Sequence, residues 1–241
     1  MEYHAVRPAR FLARPNRFIA RVELDGREET VHVKNTGRCR ELLLPGRRVY
    51  LEESANPARK TRFDLIAVDK DGLLINMDAQ APNRVFAQWA RAGGFREGLA
   101  LLRPEKTWGA SRFDFYWEDA AGEKGFVEVK GCTLEENGLA LFPDAPTLRG
   151  VKHLRELAAA QGEGYRNTVC VVLQMKGCRL FAPNERTHPD FGAALREAAR
   201  AGVQVLALDC RVDPGRLEID GPVPVALEDP RGALGGRAPR D

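Results

Sequence analysis

At 241 residues, 44% hydrophobic and 29% charged, the chain has room for two small cored domains or one large one. No apolar run approaches the ~20 residues of a membrane span, and the Arg-rich start MEYHAVRPARFLARP lacks the apolar block of a signal peptide. The net charge is only +3, but residues 1–62 carry 14 Lys and Arg against 8 Asp and Glu, so the excess sits at the front. That asymmetry fits a polyanion-facing surface. It fits a merely Arg-rich composition equally well, since 29 of the 37 basic residues are Arg.

From the N-terminus, Phe18, Ala20, Val22 and Leu24 alternate with polar residues up to Asp25-Gly26, a tight-turn signal, and Thr30–Lys34 reads as the return strand. Asn35-Thr36-Gly37-Arg38 breaks the pattern; it reads as a plain turn or as a phosphate-binding loop. Cys39–Leu44 allows one helical turn before Pro45-Gly46, and Arg47–Glu53 forms a third strand. A polar loop with Arg59, Lys60 and Arg62 precedes a second hairpin, Phe63–Asp69 and Leu73–Asn76, about Asp71-Gly72. Five short strands predict a barrel of the oligonucleotide-binding (OB) type over residues 1–80; an SH3-like barrel would read similarly.

The pattern changes after Asp78. Ala81–Ala92 predicts a helix with Pro82 near its start and Gly93-Gly94 at its end. Leu99–Arg103 reads as a strand. Arg112–Trp117 and Phe126–Lys130 then alternate on either side of Asp119-Ala120-Ala121-Gly122-Glu123, predicting a hairpin. Across it, Asp114 and Glu128 fall side by side, and Lys130 shares the face of Glu128. Like charges placed opposite one another weaken a sheet unless a cation separates them. Asp…Glu-x-Lys is therefore a place for a hard metal ion, a water and a phosphate to meet. A solvent-facing hairpin with ordinary charges carries the same letters.

Beyond it, Leu139–Phe142 is a short strand, and Thr147–Ala160 a helix with Leu148, Val151, Leu154 and Leu157 as its stripe. Thr168–Met175 is an apolar strand of the kind covered on both faces, followed by a helix over Phe191–Ala201 and a strand over Val203–Leu208. Residues 81–228 thus read as an α/β domain. Asp229–Asp241, rich in Gly, Pro and Arg, predicts a disordered tail. Asp144 reads as a helix cap rather than a metal ligand. Glu105 could add a carboxylate or be an ordinary surface residue. The five cysteines are scattered with no CxxC pair, which fits a reducing cytoplasm.

Glu128-Val129-Lys130, followed by Phe142-Pro143-Asp144-Ala145-x-Thr147-x-Arg149-Gly150-x-Lys152-His153-Leu154-x-Glu156-Leu157, resembles the sugar fermentation stimulation protein A (SfsA) family. Asn35-Thr36-Gly37, Asn83-Arg84 and Ser111-Arg112-x-Asp114 fit the same pattern, and the likeness runs from about Arg17 to Leu227. It implies an α/β two-domain protein, an OB-like five-stranded β-barrel joined to a PD-(D/E)xK nuclease-like domain, with non-specific DNA binding and a regulatory association. In that pattern Asp114, Glu128 and Lys130 are the catalytic set, and Asp114 and Glu128 hold Mg²⁺ or Mn²⁺. Phe113 stands where the motif has Pro. Asn35, Arg38, Arg40, Arg47, Arg59, Lys60, Arg62, Arg149, Lys152 and His153 are the candidate nucleic-acid contacts, salt-dependent and blind to sequence. A non-catalytic DNA-binding regulator is the alternative.

Overall fold

The computed structural model describes residues 1–35 and 37–231. Six strands make the first sheet: β1 (Val6–Asn16), β2 (Ile19–Leu24), β3 (Arg27–Val33), β4 (Arg48–Glu53), β5 (Phe63–Lys70) and β6 (Leu73–Asn76). Their order is β3-β2-β1-β4-β5-β6, and β3 also pairs in parallel with β5, which closes a five-stranded barrel. β1 to β5 form the closed barrel, and β6 extends β5 as the arm of a hairpin. The five strands read from the sequence omitted β1 and counted β6 in its place. β1 carries Pro8 and Pro15 and four arginine or asparagine side chains, and only Phe11 along it is fully buried, so it lacks a clean alternation. The barrel is filled by Phe11, Val22, Val31, Leu51 and Leu65, none more than 1% exposed.

The second half begins with α1 (Ala81–Arg91), whose Pro82 lies in its first turn. A long ribbon follows: β7 (Leu99–Trp108), β8 (Ser111–Asp119) and β9 (Lys124–Cys132). Then come β10 (Leu134–Glu136), β11 (Leu139–Phe142), α2 (Leu148–Gly162), β12 (Thr168–Leu173), β13 (Leu180–Pro183), α3 (Pro189–Arg200), β14 (Gln204–Asp213) and β15 (Arg216–Val223). The main sheet runs β15-β14-β12-β9-β8-β7, with β12 parallel to both β9 and β14. β10, β11 and β13 form a small separate sheet. β13 and β15 escape a reading by periodicity. The first is four residues long, and the second contains Gly221 and Pro222.

One face of the main sheet packs on α1 through Val85, Phe86, Phe115, Trp117, Val127 and Cys170. Val151, Leu154 and Leu157 of α2 and Phe191 and Leu195 of α3 belong to the other core cluster, which is continuous with the barrel interior. Strand β12, TVCVVL, is buried at every residue because it is covered on both sides. Gly125 on β9 lies so close to the Arg166 carbonyl that a Cβ there would overlap it.

The halves are joined by polar bonds. Gln174 Nε2 donates to Asn76 Oδ1 (2.9 Å) and to the Asp78 carbonyl (3.0 Å), and Lys70 Nζ reaches Glu135 Oε2 at 2.5 Å. Glu2 bridges to Arg216, and the Tyr3 N–H donates to the Gly215 carbonyl at 2.8 Å. The residues preceding the barrel therefore lie against the edge of the second sheet. At the other end, Arg231 pairs with Asp229 (2.5 Å) and Glu136 (3.0 Å). The rest of the predicted disordered tail, 232–241, falls outside the described residues, as does Thr36. All five cysteines are buried free thiols. Among the described residues no helix is long and apolar enough to cross a membrane.

Candidate metal and nucleic-acid site

The β8–β9 hairpin turns at Asp119–Glu123, and its pairing runs from Glu118↔Lys124 to Phe115↔Val127, where the ladder stops. One further step in that register would set Asp114 opposite Glu128. Instead, Asp114 Oδ2 accepts the Val129 N–H at 2.8 Å, so a carboxylate takes a backbone donor at the point where the ladder ends. Asp114 Oδ1 accepts from Asn83 Nδ2 of α1 at 2.9 Å. Asp114 is thus clamped between the strand that carries the other acid and the helix on the sheet's outer face.

Glu128 lies on β9, paired with Val169 of β12 in the middle of the sheet, and is 2% exposed. Its Oε1 accepts from both Lys130 Nζ and His153 Nδ1. Its Oε2 is buried with no hydrogen-bond partner. A buried carboxylate oxygen without a donor is costly and calls for an explanation. Burial is the largest influence on Glu128 and pushes its carboxyl up. The His153 hydrogen bond and the Lys130 ammonium outweigh it and hold the group below the ordinary range. Asp114 goes the other way. Burial and then the charge of Glu128 push it up, against the Val129 N–H, Lys130 and Asn83.

α2 delivers His153. The helix starts at Thr147, whose Oγ1 accepts the Gly150 N–H at 3.0 Å. Thr147 is therefore the cap, not Asp144, which lies instead against Gly37 of the barrel loop. Val151, Leu154 and Leu157 bury the apolar stripe, and this turns His153 inward, edge-on to Phe113 at 5.9 Å. Arg149 Nε donates to His153 Nε2 at 3.3 Å, one turn back along the helix. One ring nitrogen donates and the other accepts, which fixes the imidazole tautomer.

The structure brings Asp114, Glu128, Lys130, Arg149 and His153 together. His153, expected against phosphate, is buried beneath the site. Lys152 remains half exposed, donating to the Ala110 carbonyl at 3.0 Å. Glu105 stands on the exposed ribbon beside Arg112, 3.5 Å away. Asn83, one of the residues that carry the family likeness, takes up Asp114 from α1. Its signal is a polar residue on α1 between Pro82 and Val85, both buried.

The barrel candidates divide. Arg47 points inward, donating to the Glu41 (2.5 Å) and Leu42 (3.1 Å) carbonyls. Arg59 forks onto Asp64 at 2.7 and 2.9 Å, and Arg62 pairs with Glu53 at 2.8 Å. Asn35 Oδ1 accepts the Gly37 N–H at 2.8 Å, shaping the loop. Arg38, Arg40 and Lys60 are exposed.

Two family models match the chain. One, described as the SfsA N-terminal OB domain, covers residues 12–77; the other, the sugar fermentation stimulation protein RE domain, covers residues 80–216. A sugar fermentation stimulation protein homolog from Desulfitobacterium hafniense (strain Y51) is 56% identical over 94% of this chain and 99% of its own. One from Ruminiclostridium cellulolyticum is 51% identical over 94% of this chain and 100% of its own. Among solved structures, Pyrococcus furiosus SfsA in complex with Ca²⁺ superposes with a TM-score of 0.86 at 30% identity, covering 94% of this chain and 98% of that one.

Proposed function

The chain belongs to the sugar fermentation stimulation protein family, and we propose that it is a sequence-nonspecific DNA-binding protein with a divalent-metal-dependent phosphodiester-hydrolysing site at Asp114, Glu128 and Lys130. One observation carries the reading: Glu128 Oε2 is buried without a donor, and the half-buried Asp114 carboxylate lies close enough for the charge of Glu128 to act on it. A hard cation is a partner that this oxygen lacks, and Asp114 is the neighbouring carboxylate that such an ion would also take. The Ca²⁺ in the Pyrococcus structure supports a divalent-ion chemistry for the fold.

Asp114, Glu128 and the Val129 carbonyl would hold Mg²⁺ or Mn²⁺. The ion, when bound, lowers the pKa of a water and takes up charge that develops on the phosphate. The chain's own groups do the rest. Asn83 and the Val129 N–H fix the Asp114 carboxylate. His153, held by Arg149, fixes Glu128 from below. Lys130, on the exposed side of Glu128, supplies a cation to orient a water or neutralise phosphate oxygens. Arg149 and Lys152, both exposed on α2, face solvent where a phosphodiester backbone would pass. Contacts of this kind are sequence-blind and weaken with salt. The buried free thiols fit work in a reducing cytoplasm.

A second reading has its own support. Lys130 already occupies one Glu128 oxygen, and among the described residues no three His, Cys, Asp or Glu side chains gather as a metal cluster. A DNA-binding regulatory protein linked to sugar metabolism, its nuclease-like domain retained only for binding, would look like this. Incubation of the protein and its Lys130→Ala variant with single- and double-stranded DNA, in Mg²⁺, Mn²⁺ or EDTA, separates the two. Metal-dependent cutting that the variant loses supports hydrolysis. Salt-sensitive gel shifts with no cutting in any metal favour the regulator.

A further inference from the structure

The barrel carries a second basic feature away from Asp114 and Glu128. Arg14, Arg17, Arg38 and Arg40 line a cavity of about 370 Å³, and its walls contain no carboxylate. That volume is at the small end of ligand sites. Arg14 is its framework. Its guanidinium donates to the carbonyls of Gly37 (2.9 Å), Arg38 (2.8 Å), Arg17 (2.8 Å) and Asn35 (2.6 Å), tying the β1–β2 turn to the loop after β3. Arg17, Arg38 and Arg40 are exposed, and among the described residues none pairs with a carboxylate. Arg7, Arg10, Arg21, Arg47, Arg59 and Arg62 have acidic partners; Arg27 and Arg48, like the arginines of the hollow, have none among the described residues, but they do not line it. Three unneutralised guanidinium groups held about one concavity form a site for phosphate oxygens.

Beside it stands an exposed aromatic. Phe18 is 43% exposed at the β1–β2 turn, and the Arg17 guanidinium lies over its ring at 4.7 Å. The turn is rigidly set. Asn16 Oδ1 accepts the N–H groups of Phe18 (2.9 Å) and Ile19 (3.1 Å), and the Phe18 carbonyl accepts from Val33 at 2.7 Å. A solvated phenyl ring fixed beside a phosphate-sized basic hollow is a stacking platform. A base within a duplex is stacked on its neighbours and cannot lie on such a ring, whereas an unpaired base can.

We infer that the Arg14–Arg17–Arg38–Arg40 hollow and Phe18 together bind single-stranded nucleic acid, phosphate in the hollow and base on the ring. This rests on the nucleic-acid reading above and specifies the strand form that the barrel takes. The loop that builds the hollow also touches the second domain: a Cβ on Gly37 would come within 2.6 Å of Asp144 Oδ2, and Asp144 lies just ahead of the α2 turn bearing Arg149.

The test is fluorescence anisotropy with a labelled single-stranded oligodeoxynucleotide and the same sequence as a duplex, in EDTA so that no cutting occurs. The wild type should prefer the single strand. Phe18→Ala should weaken single-strand binding about ten-fold and leave the duplex unchanged, while Phe18→Tyr retains it. Arg38→Ala and Arg40→Ala should each reduce the slope of log affinity against log salt by about 0.7 for the single strand. Equal binding of both forms, with Phe18→Ala without effect, overturns this inference and leaves the proposed function standing. No binding of either form at low salt overturns both.

Discussion

The Nδ1 hydrogen of His153 lies on Glu128 Oε1, while Oε2 of the same carboxylate is buried and has no partner. The histidine therefore holds one oxygen and leaves the other without a donor, the oxygen that the proposed metal would take. Groups that orient a ligating carboxylate from behind typically contribute 10–100-fold in metal affinity. His153→Ala should weaken Mn²⁺ binding by about that range in a calorimetric titration. Unchanged affinity would remove His153 from the site and leave it a core residue.

Half-buried Asp114 lies beside buried Glu128, and the charge of Glu128 helps push Asp114 upward. Neutralising one should relieve that repulsion. Asp114→Asn is expected to raise the melting temperature in EDTA by a few degrees and to lose the further rise that Mn²⁺ gives the wild type. A variant that melts lower in EDTA and still responds to Mn²⁺ would show that the two acids do not act on a shared cation.

Removal of Lys130 should separate chemistry from grip. Lys130→Ala leaves the exposed arginines of the barrel untouched, so cleavage should vanish while salt-dependent DNA retention stays within about two-fold. If both activities fall together, the lysine serves binding or folding instead.

On the barrel, Asp64 is nearly buried and accepts from Arg59 at 2.7 and 2.9 Å and from His32 at 2.9 Å, with Lys34 at 3.6 Å. Burial is the largest influence and pushes its carboxyl up, but these partners together hold it below the ordinary range. A depressed folded-state pKa contributes stability above the unfolded value near 4, and that stability is lost as the pH falls through the folded value. Asp64→Asn should cost about 2 kcal/mol at neutral pH in urea denaturation. The difference from wild type should shrink as the medium is acidified below pH ~4. A gap that stays constant into acid would contradict this account.

Gly125 faces the Arg166 backbone with no room for a side chain. Gly125→Ala must push β9 away from the segment before β12, and the expected cost is about 1–3 kcal/mol, read as a lower urea midpoint.

Much of this site was legible because Asp114, Glu128 and Lys130 sit on strands, where period two assigns faces without knowledge of the fold. What could not be read was anything set by a partner distant in sequence. Asn83 meets Asp114 only because α1 packs under the hairpin, and the one local sign of it is a polar residue between buried Pro82 and Val85. His153 reads from the sequence as a nucleic-acid contact, and its inward turn depends on which side of α2 meets the sheet. β1 was hidden for another reason: its prolines and arginines obscure the alternation, and its pairing with β2 and β4 supplies the order that its own residues do not. Asp144 carried the letters of a cap, but Thr147 stood closer to the first free N–H groups and took the role.

The bridge of Glu2 to Arg216, with Tyr3 bonded to Gly215, has a consequence for synthesis on the ribosome. The barrel's last closing strand, β5, ends at Lys70, so the barrel can form early in translation. The segment ahead of it cannot complete its backbone pairing then, because the edge it pairs with is made some two hundred residues later. Tyr3 can set its hydroxyl between Asn76 and Asp78 soon after β5 is made, but its backbone and Glu2 fasten the seam between the domains only when β15 emerges. Assembly of this protein is thus completed by joining an early segment to a late one, and a nascent chain stalled before Arg216 should hold a closed barrel with an unfastened arm.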